Sequence, residues 1–403
     1  MTDTSAVPRS SMTRWATLFF AVAGGTAVGN LYWAQPLLDT IAGSFGVTSD
    51  AAGLLITATQ VGYAIGVFFL VPLGDIVNRK RVIPALMVLS AIFLAATAVA
   101  PGFSILLVTL ALLGVSTVSG QFLMPLAGDL ASDDQRGRVL GTIASGLILG
   151  ILVARTISGI VADLLGWRAI YVGAAGLMLL LAIGMARFLP SLEPRAAVGY
   201  KALLTSVLRT VADSARVRVT ILIGASVMSV FTLFWTGLTF LLASPPYAYS
   251  TSQIGLVSLV GVVGAVAAQQ VGKLFDRGLS LPAIGVGLVV TLVSLGISGV
   301  GANSIVVVLI SIVLFSVGVQ AVQVLIQTRM LSIDPGARSR LNTIFVVANF
   351  IGGAIGSAVA GALWPLGGWP ALMIAAAVLI GLALLVWAEP THPAPRGVSL
   401  AKS

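Results

Sequence analysis

The chain contains no cysteine, a single histidine (His392) and little charge: only 9% of its 403 residues are Asp, Glu, Lys or Arg. Without cysteine there is no disulfide scaffold, zinc–thiolate site or thiol nucleophile. So little charge cannot cover a soluble domain of this length, and disordered chains are charged and apolar-poor; both classes are excluded. There is no Gly-x-x-x-x-Gly-Lys-Ser/Thr phosphate loop, nucleophile elbow or metal box. An ATP-driven machine, an enzyme, a cofactor and a metal are therefore not expected. What the chain does have is 58% hydrophobic residues, 45 glycines and 17 prolines, arranged in long apolar runs. The net charge of +9 does not point to nucleic acid, because the basic residues punctuate those runs. The sequence is that of an all-α polytopic membrane protein, with the lipid bilayer as its first partner.

A helix that crosses hydrocarbon needs about 20 mostly apolar residues. Twelve segments qualify as spans one to twelve: 15–37, 51–73, 82–100, 103–127, 139–162, 167–189, 219–243, 252–272, 281–300, 304–328, 341–363 and 369–388. The basic residues test this count. If both termini are cytoplasmic, 20 of the 22 basic residues fall on the inner side, leaving Arg155 inside span five and Arg168 at the outer start of span six. Ten of the 13 acids also fall inside, so the inner side carries +10 and the remainder −1. That is the asymmetry of the positive-inside rule. The longest connection, 190–218, is basic, starts with proline and then turns amphipathic, which predicts a linker with one short helix on the inner membrane face. The expected organisation is an N-terminal cytoplasmic segment 1–14, a six-helix bundle 15–189, the linker 190–218, a second six-helix bundle 219–388 and a cytoplasmic tail 389–403. His392, in that Pro-rich tail, reads as a surface residue.

The two halves repeat at an offset near 202: Arg136 and Arg138 fall on Arg338 and Arg340, Gly150 on Gly352, Gly159 on Gly361 and Gln121 on Gln323. Asp75 of PLGDIVNRKR falls on Asp276 of GKLFDRG at 201. An even number of spans per half keeps both repeats in one orientation, which predicts two bundles related by a pseudo-two-fold axis along the membrane normal.

These loops carry a family resemblance. Val71-Pro-Leu-Gly-Asp75-Ile-Val-Asn78-Arg79-Lys80-Arg81 and Gly272-Lys-Leu-Phe-Asp276-Arg277-Gly278 resemble the Gly-x-x-x-Asp-Arg-x-Gly-Arg-Arg signature of major facilitator superfamily transporters, with Val71 and Asn78 in place of its glycines and Ile76 in place of its first Arg. Asn30-Leu-Tyr-Trp-Ala-Gln35-Pro36-Leu-Leu resembles the Asn-x-Tyr-Tyr-x-Gln-Pro-Leu-Leu end of the first helix in a bacterial 12-helix drug-efflux-like subgroup. The fourth-helix Arg of proton-driven members is absent, Leu110 standing before Gly114, and the fifth-helix antiporter motif survives only as Gly146-x-x-x-Gly150. The resemblance implies a conformational latch of Asp75, Arg79, Lys80 and Arg81, with Asp276, Arg277, Arg136, Arg138, Arg338 and Arg340 at the equivalent loops. It also implies a transporter working by alternating access, exporting small amphiphilic organic compounds in exchange for protons, as a monomer in a bacterial inner membrane.

Arg155 is the sharpest local clue. It lies about sixteen residues into a helix that starts at the inner face, which places it in the outer half of the hydrocarbon. An unpaired guanidinium there is costly, so it faces the cavity or a carboxylate, or else snorkels outward. No carboxylate falls within a span. Asp39 and Asp163, at the outer ends of spans one and five, are the proton-coupling candidates, and each also reads as a plain helix-end residue. The other cavity candidates are uncharged: Asn30, Tyr32, Gln35, Gln60, Tyr63, Gln121, Trp235, Thr236, Gln320, Gln323 and Asn349, with Gln327 on the face of Gln320 and Gln323. They suit an amphiphilic solute, or they hydrogen-bond between helices. Gly62/Gly66, Gly146/Gly150 and Gly352/Gly356 predict close helix packing. Pro36 is expected to end or bend span one. Arg155 and the missing mid-span carboxylate support an alternative function, uptake or facilitated diffusion of a small organic anion.

Overall fold

The computed structural model describes residues 12–190, 199–264, 266 and 278–389, with only the backbone at Ser49, Asp75 and Pro335. Among these residues there is no strand, and nine helical stretches are long and apolar enough to cross a bilayer, with span four taken across its break and spans eleven and twelve as one. Spans two, three, five and six are Ser49–Leu70, Arg79–Ala98, Arg136–Leu165 and Trp167–Phe188. Spans seven, nine and ten are Ala215–Ala243, Ser280–Val300 and Ile305–Ser332. Spans eleven and twelve form one stretch, Arg338–Ala388, broken at Gly368, whose φ of 56° only glycine takes without strain. Span eight begins with Thr251–Val257 and a 3-10 turn, Ser258–Gly261; Asp276 and Arg277 lie outside the described residues, as do the side chain of Asp75 and His392.

Spans one and four are each two helices. Span one runs Arg14–Gly29 and resumes at Leu38–Phe45, and span four runs Phe103–Ser116 and Ser119–Leu130. Pro36 is therefore not what ends the helix. The break opens at Asn30, and Pro36 sits in a 3-10 turn, Gln35–Leu37, at a position that needs no N–H donor. The two breaks satisfy one another. Thr117 Oγ1 donates to Ala27 O (2.7 Å) and accepts from Asn30 Nδ2 (3.0 Å), while Asn30 Oδ1 accepts from Trp33 Nε1 (2.8 Å). Irregular backbone at membrane depth persists only with such partners.

The paired glycines set the packing inside each half. Gly62 and Gly66 lie against the backbone of Ala111 and Val115, Gly146 and Gly150 against Ala21 and Gly25, and Gly352 and Gly356 against Ala225 and Ser229, with no room for a Cβ at any of the six. Two hydrophobic clusters result. One draws on residues 20–189 with Phe240 and Val346, the other on residues 207–383; Phe231 and Trp364 pack against both.

We call the side that holds Arg79–Arg81, Arg136, Arg138, Arg338 and Arg340 the basic face and the opposite side the far face. At the basic face, Arg79 is buried at the end of span four, donating from Nε to Gly74 O (2.8 Å) and pairing with Asp129 at 3.2 Å. Arg136 donates from Nε to Gly128 O (2.9 Å) and lies 3.8 Å from Asp133. Both cations meet the carbonyl end of a helix, where the macrodipole favours positive charge. Asp129 joins this basic cluster as a partner that the signature motif does not mark. Lys80, Arg81 and Arg138 are on the same face, and Arg340 lines a pocket of about 620 Å³ beneath the linker helix Tyr200–Asp213. That helix is tied to the first half by Tyr200 Oη donating to Phe69 O (2.7 Å).

Candidate solute-binding site

Arg155 is the largest fully buried side chain of the described residues, 1% exposed. Span five carries it 10 residues short of the far end of its helix, about 15 Å deep. Its guanidinium carbon stands 4.4 Å from the ring centre of Trp235, 5.0 Å from that of Tyr32 and 5.5 Å from that of Phe231. The three rings come from spans one and seven, so both halves build this box. Cation–π attraction acts on the faces of a guanidinium and leaves its N–H edge unmet. Arg155 Nε and Nη2 are buried without a hydrogen-bond partner, and Arg155 forms no ion pair among the described residues. Nε and Nη2 make up one side of the guanidinium fork, the side that takes a carboxylate with two parallel bonds.

Other unmatched groups lie on the helices that meet between the halves. Gln35 Oε1, Gln60 Oε1, Ser229 Oγ, Trp235 Nε1, Thr236 Oγ1 and Asn349 Oδ1 are buried without partners. A buried polar group in that condition costs about 1–3 kcal/mol, so each of these atoms is one whose bond a ligand or water would restore.

Most of the remaining candidates are hydrogen-bonded within the protein. Both ends of the Asn30 amide are taken at the breaks, which makes it a structural link rather than a lining residue. Gln121 Nε2 donates to Tyr63 Oη (2.8 Å), and the Tyr63 ring packs on Phe350 at 4.3 Å between centres. Gln323 donates to Gly224 O (3.1 Å) and accepts from Asn349 Nδ2 (3.2 Å), and Gln327 donates to Asn342 Oδ1 (3.2 Å). The amide face of span ten is thus largely spent on neighbouring helices, while Gln320, one turn nearer the far face, is half-buried. Asp39 is exposed in the short helix Leu38–Phe45. It is not brought to Arg155, and neither is Asp163.

Above the box, the far face is sealed along two seams. Span two meets span eleven where Thr57 Oγ1 and Ser357 Oγ lie 2.7 Å apart. There Gly361 has no room for a Cβ against Asp50 O, and Gly53 almost none against Ser357 O. Span five meets span eight where Gly159 and Gly255 have no such room against Thr251 O and Arg155 O. Thr156 Oγ1 donates to Gly255 O (3.2 Å). The Asp163 carboxylate accepts from Ser250 Oγ (2.8 Å), from Ser252 N (2.9 Å) and from Thr251 Oγ1, at the N-terminus of the span-eight helix. An anion belongs there, where the first N–H groups of a helix have no partners of their own. Thr239 Oγ1 donates to Gln35 O (3.0 Å), joining spans seven and one beside the box.

Helices in two halves, a buried charge between them and a seal on one side describe a carrier, and comparison with known proteins agrees. The profile of the Major Facilitator Superfamily matches residues 16–335. The chain belongs to that superfamily. It is similar to the putative uncharacterized transporter YgaY of Escherichia coli K12, 39% identical over 385 residues and covering 96% of this chain and 98% of that one. It is also similar to the probable transporter SCO4007 of Streptomyces coelicolor, 30% identical over 363 residues, 90% of this chain and 84% of that one. Among solved structures, a bacterial homolog of the human lysosomal transporter Spinster, inward-facing and occupied, superposes with a TM-score of 0.76 at 15% identity over 93% of this chain and 95% of that one. The human organic anion transporter MFSD10 gives 0.70 at 19% identity over 93% and 100%. At these identities the structures attest the fold. This member is a membrane transporter, not an enzyme.

Sequence reasoning singled out Arg155, Tyr32 and Trp235 but not Phe231, since a phenylalanine in an apolar helix carries no signal of its own. Gly159 and Gly361 were marked by the repeat; Gly53, Gly255, Thr57 and Ser357 become visible only once the seams are seen.

Proposed function

We propose that this transporter carries a small organic solute bearing an oxyanion group, such as a carboxylate, sulfonate or phosphonate, and that Arg155 binds that group. The observation that carries the reading is the buried Arg155 edge, Nε and Nη2, with no hydrogen-bond partner among the described residues. The surrounding rings suit the apolar part of the solute, and the unmatched Gln35, Gln60, Trp235 and Thr236 groups suit its polar remainder. The bundles 15–189 and 219–388 are the units that rock, joined by 190–218. The basic face is cytoplasmic, in a bacterial inner membrane, with both termini on that side and a monomer as the working unit.

The test is uptake of radiolabelled p-toluenesulfonate, which stays ionised and does not leak as a neutral acid, into proteoliposomes preloaded with the unlabelled compound. Arg155→Gln is expected to lower saturable uptake about 100-fold, the scale for a buried bidentate charge contact. Arg155→Lys keeps the charge but not the fork and should fall between. Uptake by Arg155→Gln at the wild-type rate would overturn the reading.

A second reading, proton-coupled export of amphiphilic compounds, draws on the subgroup resemblance and on one feature of the seal. Asp163 is a titratable clamp across the halves, and protonation would remove its acceptor charge. An entrapped pH dye separates the two: solute-driven proton movement that disappears in Asp163→Asn favours export by proton exchange, and solute movement without it favours the oxyanion carrier.

A further inference from the structure

Building on the oxyanion reading, we infer that the transporter is an obligatory exchanger, one that closes over its site readily only when an anion fills the Arg155 fork. Alternating access requires each crossing to pass through a state in which the site is shielded from both faces. For Arg155 this structure is such a state: the side chain is 1% exposed beneath the sealed far face. What the protein supplies in that state is incomplete. Three rings meet the guanidinium, yet Nε and Nη2 have no acceptor among the described residues. The carboxylate nearest along the helix, Asp163, is two turns on and held by Ser250, Thr251 and Ser252 of span eight. The guanidinium does not escape by losing its proton. Closing over an empty site therefore isolates a cation in low dielectric, whereas closing over an oxyanion neutralises it and fills both N–H bonds.

The loaded crossing is thus favoured over the empty one, and the carrier returns quickly only if it picks up a second anion. A carrier of this kind swaps anions one for one. Exchange of equally charged anions moves no net charge, so its rate does not respond to membrane potential. The fork contacts only the oxyanion group, so anions of different bodies can serve as counter-substrates.

The test compares initial uptake of radiolabelled p-toluenesulfonate into vesicles holding unlabelled p-toluenesulfonate and into vesicles holding only Tris–potassium chloride, free of organic oxyanions, with and without a valinomycin-set potential. Uptake into loaded vesicles is expected to be at least about 20-fold faster, and indifferent to potential, since only the empty return step carries an uncompensated buried charge. Equal rates into loaded and empty vesicles overturn exchange, and if Arg155→Gln is then inactive the oxyanion reading survives. Wild-type uptake matched by Arg155→Gln overturns both, as does an absence of both uptake and equilibrium binding in the wild type. Arg155→Lys guards against a folding defect in the glutamine variant: it keeps a buried cation and should be slow in both vesicle sets yet retain the loaded-over-empty preference. Loss of that preference in a folded Arg155→Lys overturns the argument from charge.

Discussion

The two seams that close the far face are built on the same backbone plan and carry different chemistry. The repeat offset of 202 sets Gly159 against Gly361 and Gly53 against Gly255, and each of the four faces a carbonyl of the opposing half. The same offset sets Arg155 against Ser357. In the seam of spans two and eleven that position is a hydroxyl, spent on Thr57 at 2.7 Å. In the seam of spans five and eight it is a guanidinium turned toward three aromatic rings, with Asp163 clamping the helix end above it. Backbone closure is duplicated, then, and the charge is not. We read the first seam as a gate and the second as a gate joined to the binding site.

The largest expected effect separates the two equivalent positions. Arg155→Gln should lower p-toluenesulfonate uptake about 100-fold, whereas Ser357→Ala should change it by less than about threefold, because an interhelical hydroxyl bond in a membrane contributes about 0.6 kcal/mol. Equal losses in the two variants would mean that both positions serve closure and neither binds solute.

The next test asks whether the seams are equivalent as gates. Gly159→Ala and Gly361→Ala each drive a methyl group into an opposing carbonyl, and overpacking of this kind costs about 1–3 kcal/mol. Both should favour the state open at the far face by about tenfold or more. The chain has no cysteine, so Ser357→Cys can report on opening through its labelling by an impermeant maleimide. A tenfold response at one glycine and none at the other would show that one seam alone sets the gate.

How far this asymmetry was legible in the sequence depends on what each residue must do to be noticed. Arg155 announces itself, because charge in an apolar run has no ordinary use. The spans, the six-plus-six division and the glycine pairs follow from hydropathy and spacing alone. The breaks near Asn30 and Thr117 did not, since each is stabilised by a partner 87 residues away in the chain. The amide face of span ten leaves two readings open in the sequence for a related reason. Hydrogen bonding between helices and cavity lining require the same residue types, and only the positions of Gly224, Asn342 and Asn349 decide between them. Phe231 and Asp129 were silent because one is an ordinary apolar residue and the other an ordinary helix-end acid.

A smaller effect is expected at the clamp. Asp163→Asn keeps the shape and removes the charge that the span-eight N-terminus holds, a change of about 1 kcal/mol on the scale of such helix-end interactions. Labelling of Ser357→Cys should rise about fivefold, less than for Gly159→Ala. High salt should change labelling of the wild type little, because the carboxylate is hydrogen-bonded at short range and not simply attracted from a distance. An Asp163→Asn response larger than that of the glycine variant would make the electrostatic clamp the principal closure and the glycine contact its consequence.

The smallest expected effect bears on the plainer seam. Thr57→Val deletes the hydroxyl that meets position 357, where the reporter carries a thiol in place of the serine hydroxyl, but keeps the side-chain volume, and Thr57 Oγ1 is also within 3.3 Å of Gly53 O on its own helix. With that local acceptor as an alternative, the bond across the seam contributes little beyond geometry, so labelling should rise by about twofold or less. Combining Thr57→Val with Asp163→Asn then decides how the seams are joined. If the halves rock as rigid bodies, both seams open in one event, the two effects on the opening equilibrium multiply, and labelling rises about tenfold. If each seam frays by itself, the reporter at Ser357 responds to Thr57→Val alone, and the duplicated glycine plan serves two separate gates.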